Sequence, residues 1–413
     1  LMPVNLNTIP GPYRRPAPPK PLRWLCALVC FVGFGILLWR VMGNKAKEPS
    51  FWWLAIGASA ICWTILLGCR LAVYLLWQIR ANAWDKRREQ VILREVRRGR
   101  RSLHILAAEC EIAHSTTSRS TDADVTEALL GNEERLIAQA SWQGERGIRH
   151  SRLSIAEGLS PAMQISAAFA NLLERLAEPL SHLPEDNPVA IFLASSSTVS
   201  DARVRELWQQ SWLDSARPQP FFFITGHGMA VIDHWLDHRI KDKAVLLVIA
   251  LQIAPQQPEM TGEAVVGMLL GNRLTQKTLT PMALLHRPES SPPQPETLQQ
   301  KIVQAMDWVP LHPAVVQHLW LAGLSGSSEG YRCAVVALGQ PPLAAIDPGV
   351  GIHNFNEFLG DPGRAAPWLA ITAAAQAISR CPAPHMIING EQGGDAVWTT
   401  VVSPDAAHKE NNA

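Results

Sequence analysis

The sequence predicts a mixed α/β protein: a two-helix transmembrane hairpin followed by a layered domain of alternating helices and buried strands. Three observations predict it. Two long apolar runs fall within the first 79 of 413 residues. Beyond them, short, nearly continuous apolar runs alternate with segments of helical spacing, as in sheets covered on both faces. The charge, only +1 overall, is segregated along the chain. Residues 1–79 hold eight basic and one acidic residue, residues 80–101 nine and three, and the remainder twenty and thirty-two. An acidic main domain excludes a general grip on a nucleic-acid backbone, which needs clustered Lys and Arg. Seven cysteines in a chain of this length exclude a small disulfide-stapled scaffold.

Residues 1–21 form a Pro-rich tail, and residues 22–79 carry the two spans. The first contains the uncharged stretch Trp24–Trp39; the second starts at Phe51 and continues past Arg70 to Trp77. Crossing the hydrocarbon core takes roughly 20 helical residues. Arg23 and Arg40 can snorkel from the ends of the first run, and Trp24, Trp39, Trp52, Trp53 and Trp77 fall where interfacial aromatics belong. A cleaved signal peptide is the competing reading of the first run. Against it stand the long tail before the run, the second span soon after it, and the lack of a small-x-small cleavage site. Arg14, Arg15, Lys20 and Arg23 before the hairpin and the arginines after it outweigh the two lysines of the loop between the spans. Positive-inside bias therefore predicts both ends in the cytoplasm. Cys110, Cys333 and Cys381 are then thiols in a reducing compartment.

Residues 80–114 read as a basic juxtamembrane helix. Trp84, Val91, Ile92, Val96 and Leu103 give it an apolar face. Arg87, Arg88, Arg97, Arg98, Arg100 and Arg101 are placed to meet anionic lipid headgroups. Residues 115–125 read as a linker, 126–402 as the cytoplasmic domain and 403–413 as a polar tail. Within the domain, helices are expected over Thr126–Ala140, Ile165–Leu180, Val204–Trp212, His227–Ile240 and Ala365–Ser379. Strands are expected at Val189–Leu193, Pro220–Thr225, Ala244–Gln252, Glu263–Leu270, Cys333–Leu338, Met386–Ile388 and Ala396–Val402. Arg287–Glu296 reads as a loop by composition. Strand–helix–strand units recur in both halves, which leaves an internal duplication open.

No phosphate-binding loop, dinucleotide fingerprint, CxxC pair or HExxH is present, so no cofactor and no metal is predicted. His234 and His238 sit one helical turn apart beside Asp233 and Asp237. Without a third ligand they read as a surface or interface face. Gly226-His227-Gly228-Met229-Ala230 follows a strand and precedes a helix, as a nucleophile elbow does, but Gly228 occupies the nucleophile position. An elbow without a nucleophile cannot perform covalent catalysis. The small-residue turn around Ser325 and the Gly-rich loop Asp347–Gly363, with His353 and Asp361, complete the candidate pocket residues: Gly226, His227, Gly228, Ser325, His353 and Asp361.

The order of elements over residues 187–402 resembles the thiolase/β-ketoacyl-synthase superfamily. The residues that carry the resemblance are the PFFFIT strand meeting GHGMAVIDHWLDHRI, the strand AVLLVIALQ, and Glu263–Leu270. Leu359–Ala366 is similar to that family's GHxxGAAG turn, and Asn389–Gly394 to its last Gly-rich loop. The resemblance implies a layered α-β-α-β-α domain. It also implies a cysteine at the start of a buried helix, where the helix N-terminus lowers a thiol pKa. Gly226 and His227 stand in that neighbourhood instead, and Asp361 stands where the histidine of the turn would fall. The expectation is a fold reused for binding, with no catalytic residue.

A hairpin-anchored, non-catalytic domain of this kind is similar in layout to the lipase-adaptor family of bacterial type VI secretion. That likeness implies an inner-membrane protein whose cytoplasmic domain holds an effector or secretion component. A homodimer is left open. The alternative is an active membrane-associated acyl-transfer or lipid-related enzyme using His227, His353 or Asp361. A hairpin sensor that relays a signal is a third reading, disfavoured by the short external loop.

Overall fold

A computed structural model describes residues 6–42, 49–113, 122–153, 159–275, 279–309 and 316–405. The loop between the two apolar runs, most of the expected linker and most of the expected C-terminal tail lie outside the described residues. The chain divides into two compact units, Met2–Arg97 and Arg98–Ala413.

In the first unit, α1 (Pro21–Val41) starts at a proline in its first turn, where the missing N–H costs nothing. A short turn of helix, α2 (Pro49–Phe51), and a π-helical turn, Trp52–Gly57, lead into α3 (Ala58–Gly99). By length and composition, Pro21–Val41 and Trp52–Gly99 are long and apolar enough to cross a membrane. The two helices touch through small residues. Gly35 lies against the Ala55 carbonyl and the Ser59 hydroxyl, so any β-carbon there would collide. Small residues at such a contact let two helix backbones come close. The Trp63 indole N–H donates to the Trp24 carbonyl at 2.8 Å.

The second unit opens with β1 (Ser102–Ile112). Next come α4 (Asp122–Leu130), β2 (Ile137–Gln139), β3 (Ile148–His150), α5 (Pro161–Arg175) and α6 (Ala177–Ser181). They are followed by β4 (Val189–Ser196), α7 (Asp201–Asp214), β5 (Phe221–Ile224), α8 (Ala230–His238), β6 (Val245–Gln252) and β7 (Ala264–Gly271). The chain continues through β8 (Ala283–His286), β9 (Glu289–Ser291), α9 (Pro295–Asp307), β10 (His318–Ala322) and α10 (Glu329–Leu338). It closes with β11 (Ile352–Asn354), α11 (Phe355–Phe358), α12 (Ala366–Ala377), β12 (His385–Gly390) and β13 (Val397–Ser403).

The main sheet runs β11-β10-β12-β13-β8-β1-β7-β6-β4-β5. Its two halves repeat one topology. In β1, β4, β5, β6, β7 and again in β8, β10, β11, β12, β13, the strands stand in the order third, second, fourth, fifth, first. The fifth strand of each set is antiparallel to both neighbours, and the second, third and fourth are mutually parallel. The sets join where β1 pairs antiparallel with β8, Ser102 opposite His286 and Ile105 opposite Ala283. The duplication that the sequence left open is present.

Three hydrophobic clusters make the layers. Helices α8 and α12 share a central cluster with inward residues of both halves, among them Phe192, Val248, Trp320 and Ile387. Helices α5 and α7 cover the outer face of the first half, and α9 and α10 that of the second. This is the expected α-β-α-β-α order. In α12 only Gln376 escapes full burial. Its alanines favour helix and let both neighbouring sheet faces come close.

Several expectations are corrected. The juxtamembrane helix does not reach residue 114. It ends at Gly99, and Ser102–Ile112 is a strand buried between β7 and β8, so the domain begins some twenty-five residues earlier than residue 126. A β-carbon on Gly99 would meet the Trp308 ring at 2.5 Å, which explains a glycine at the junction. Helix α4 stops at Gly131 and Asn132, the latter at φ 50°, and part of the expected helix is strand β2 instead. Cys333–Leu338 is helical, capped by the Ser328 hydroxyl, which accepts from Tyr331 N at 3.1 Å. The expected loop 287–296 contains strand β9 and a fully buried Arg287.

Candidate functional site

The carboxyl ends of the parallel strands point at two neighbouring cavities, the usual position of a ligand site in such sheets. The smaller, about 380 Å³, is lined by Gly226, His227, Gly228 and Met229 from the turn before α8. Gly363, Arg364 and Trp368 from the approach to α12 close one side, and Asn389–Gln392, at the end of β12, close another. Three segments that are far apart in sequence, all quoted above for the family resemblance, thus meet around one space. The larger cavity, about 1030 Å³, is lined mainly by hydroxyl, amide and carboxylate groups, including Ser195–Ser200, Gln252, Asp361 and Ser325. Asp201, Arg364 and Gln392 line both.

The partition between the cavities is hydrogen bonded. Arg364 donates to Asp201 Oδ2 at 3.3 Å and to the Ser195 carbonyl at 3.2 Å. Ser195 Oγ donates to Asp201 Oδ1 at 2.7 Å, and Ser196 Oγ to Gln392 Oε1 at 2.9 Å. The Asp361 carboxylate accepts from Gly363 N at 2.9 Å, and burial pushes its pKa up. Gly363 needs its left-handed φ of 58° and lies against the Gln252 amide oxygen, so no side chain fits there.

The turn that leads into α8 holds a glycine. Gly228 has φ 41°, and a β-carbon built on it would lie 3.4 Å from Glu391 Oε1. No cysteine lines either cavity among the described residues. Three buried polar atoms of lining residues, the Trp368 indole N–H and Asn389 Oδ1 in the smaller cavity and Asn356 Oδ1 in the larger, have no hydrogen-bond partner.

The structure brings Gly226, His227 and Gly228 together in the smaller cavity and Ser325 and Asp361 in the larger one. It does not bring His353 to either. His353 is fully buried and belongs to a histidine stack inside the second half. Its Nε2 is 3.0 Å from His318 Nδ1, its Nδ1 is 2.9 Å from Asn132 Oδ1, and its ring stacks on Trp320 at 4.1 Å. His385 stacks on His318 and accepts the Trp320 indole N–H at 3.1 Å. Burial first, then the neighbouring histidine charge, pulls His353 and His385 down to about 3.

His234 and His238 stack on each other at 4.3 Å, and among the described residues no group of three or more His, Cys, Asp or Glu gathers as metal ligands. Two arginines assigned above to the membrane surface are placed elsewhere. Arg98 forms a two-pronged pair with Asp237 at 2.8 and 2.5 Å, and Arg101 donates to the Leu236 carbonyl at 3.0 Å. The buried Arg287 completes this cluster with Asp237 at 2.7 Å and with Asp233. Arg87, Arg97 and Arg100 are exposed, and Arg88 is half-buried.

Sequence reading missed Asp201 and Arg364 as partition residues. The signal was their position, each just beyond a strand or turn that ends at the cavity face.

No family model matches the chain, and no curated protein does. Solved structures do. The ishigamide ketosynthase/chain length factor superposes with a TM-score of 0.55 at 11% identity, over 74% of this chain and 99% of that one. The PfaC keto synthase–chain length factor gives 0.54 at 11% identity, over 74% of this chain and 43% of that chain, less than half its length. A type II polyketide ketosynthase, solved with its acyl-carrier protein, gives 0.50 at 12% identity, over 74% and 99%. The second unit therefore has a thiolase/ketosynthase-like fold.

Proposed function

We propose that this protein is a membrane-anchored, non-catalytic member of the thiolase-like fold that binds a protein partner as an adaptor or scaffold. One observation carries the reading. The cavity at the start of α8 is assembled from both halves, yet the turn that opens it offers Gly228 facing the Glu391 carboxylate, and the half-buried Asp361, in the neighbouring larger cavity, stands where the family resemblance would put a histidine. A carboxylate there repels an enolate or thioester oxyanion rather than stabilising it. The anchor is the helical pair α1 and α3, whose flanking arginines favour an inner-membrane hairpin with both ends in the cytoplasm. A type VI secretion effector or secretion component is the partner the layout suggests.

Two measurements test this. The full chain, in detergent, is incubated with acyl thioesters of several chain lengths. No turnover above background is expected, and turnover abolished by His227→Ala or Asp361→Asn overturns the reading in favour of an acyl-transfer enzyme. Affinity capture of the full chain from its native cell should then recover one protein in stoichiometric amount. Recovery of acyl-carrier protein alone points back to acyl chemistry.

A further inference from the structure

The Pro-rich tail is not a free leader in the first unit; it lies along α3. Tyr13 N donates to Asp85 Oδ1 at 3.1 Å, and Arg15 reaches the same carboxylate at 3.5 Å. Side chains of α3 in turn donate to tail carbonyls. The Trp84 indole donates to Gly11 O at 3.3 Å, Arg88 Nε to Pro10 O at 2.8 Å, and Arg70 to Ala17 O at 3.5 Å. The Tyr13 ring sits 6.3 Å from the Trp84 ring and 6.0 Å from the Arg80 guanidinium. Arg70, Ala81, Trp84, Asp85 and Arg88 recur at helical spacing on one face, and Ala81 in that stripe has no exposure. Leu71, Leu75 and Ile79, on the other side, are 40%, 55% and 64% exposed.

This is how polyproline segments are recognised. A stiff, extended chain with free carbonyls lies on aromatic rings and accepts from an indole N–H and guanidinium groups. Proline makes it cheap, because the tail has little conformational freedom left to lose. Lys20, at φ −75° and ψ 117°, is itself extended where the tail meets α1.

We infer that the 80–88 stretch of α3, just beyond the second span, is a polyproline-binding face with the tail as its resident occupant, and that anionic lipid headgroups release the tail by competing for Arg80 and Arg88. The headgroup phosphate is the chemistry that fits. Arg88 spends its donor on a neutral carbonyl and Arg80 lies over a ring, and a phosphate forms stronger, charge-assisted bonds with both. The coupling is reciprocal, so a docked tail weakens headgroup binding by the factor that headgroups weaken docking. The inference rests on the membrane reading above.

The test uses the full chain labelled with fluorotyrosine. Three tyrosines, Tyr13, Tyr74 and Tyr331, give three fluorine resonances, assigned by Tyr→Phe variants. Asp85→Ala, which removes the tail's anchor but no arginine, supplies the undocked Tyr13 position. In phosphatidylcholine vesicles Tyr13 should keep its docked resonance. Phosphatidylglycerol in the vesicles should move it toward the Asp85→Ala position, with the docked population falling about fivefold per arginine engaged. Inorganic phosphate added to phosphatidylcholine vesicles should leave it docked; equal release by free phosphate overturns the lipid assignment. A resonance unmoved by phosphatidylglycerol in fully incorporated protein overturns the release and leaves the membrane reading standing. Failure to enter vesicles of either composition overturns the membrane reading, and the lipid release with it. A Tyr13 resonance identical in wild type and Asp85→Ala overturns the docking itself.

Discussion

Gly228 and Glu391 face each other across the cavity at the start of α8, with 3.4 Å between Glu391 Oε1 and the point where a β-carbon on Gly228 would stand. The first residue comes from the turn after β5 and the second from the loop after β12, one from each half of the duplicated fold. The turn before α8 is thus faced, from the other half of the fold, by a carboxylate side chain.

A cysteine placed there should not become reactive. In Gly228→Cys the left-handed φ of 41° disfavours any side chain, and Glu391 stabilises the neutral thiol over the thiolate. The expected outcome is a new thiol whose alkylation rate rises only above about pH 8.5, the unperturbed range. Gly228→Cys with Glu391→Gln should move that rise to lower pH. The measurement is the rate of iodoacetamide labelling against pH, with wild type as the background. A Gly228→Cys thiol that labels fast at neutral pH shows that the site still activates a nucleophile.

The Arg98–Asp237–Arg287 cluster makes a stability prediction. Burial pushes the Asp237 carboxyl up, but hydrogen bonds and charges from Arg98 and Arg287 outweigh it and hold the group well below the usual carboxylate range. Arg287 is 1% exposed and Asp237 4%. Arg287→Ala leaves a buried carboxylate short of a partner and should destabilise the fold by about 3–5 kcal/mol. Arg287→Met with Asp237→Leu, which removes both charges, should cost much less. Denaturant unfolding of the full chain in detergent checks the ordering, and equal losses in the two variants would show that packing, not charge, holds this corner.

What the sequence made legible follows from periodicity. Strands β4, β6 and β7 are eight residues long and built on apolar runs (VAIFLA, VLLVIAL and AVVGMLLG), and burial over nearly their whole length is what such runs imply. The Gly-rich turns at Gly226, Gly363 and Asn389–Gly394 were legible because tight turns at strand ends restrict residue choice. Three kinds of element were not. Ser102–Ile112 continues a basic helix without a proline between them, and its alternating polar residues look helical until partners on both sides are known. Cys333–Leu338 has the apolar density of a strand, and only its cap at Ser328 reveals the helix. His353 reads as a site residue from its Gly-rich loop, yet its parallel pairing opposite Trp320 turns it into the core. Charge alone also places Arg98 and Arg101 at the membrane surface, because nothing in the sequence ties them to Asp237 and to the Leu236 carbonyl 135 or more residues away.

The junction at Gly99 gives a further prediction. A β-carbon there would strike the Trp308 ring at 2.5–2.7 Å, and that ring is held by its indole N–H donating to the buried Glu289 at 2.7 Å. Lys301 donates to the other carboxylate oxygen at 2.8 Å, so the ring cannot turn away without breaking a satisfied network. Gly99→Ala should therefore destabilise the second unit by about 1–3 kcal/mol, although alanine is the better helix former. Trp308→Phe alone loses the indole bond to Glu289. In the Trp308→Phe background the smaller ring should make Gly99→Ala less costly than in wild type. A double-mutant cycle on thermal unfolding reads the coupling; additive losses would place the cause of the glycine elsewhere.

The histidines of the second unit predict acid sensitivity with a definite sign. Burial pulls His286 down to about 4, and burial with neighbouring histidine charge pulls His353 and His385 down to about 3. His318, their neighbour in the stack, is lowered by burial as well. Each group binds its proton more weakly folded than unfolded, where the ordinary value is about 6.5. The unfolded chain therefore takes up more protons as pH falls, and stability rises with pH across this window. Full stability is expected above pH 6.5. From there down to about 4, each group that stays neutral in the fold should cost on the order of 1.4 kcal/mol per pH unit. The stack titrates as a unit, so its members should not add independently. His353→Asn removes one end of the stack, a group pulled down to about 3, and should flatten the slope of unfolding free energy against pH between 6 and 4, even if it lowers stability at pH 7. Urea unfolding at closely spaced pH values measures this. A slope unchanged by His353→Asn would assign the acid sensitivity to other groups, with the His286 pair with Ser403, joined at 2.8 Å, the next to test.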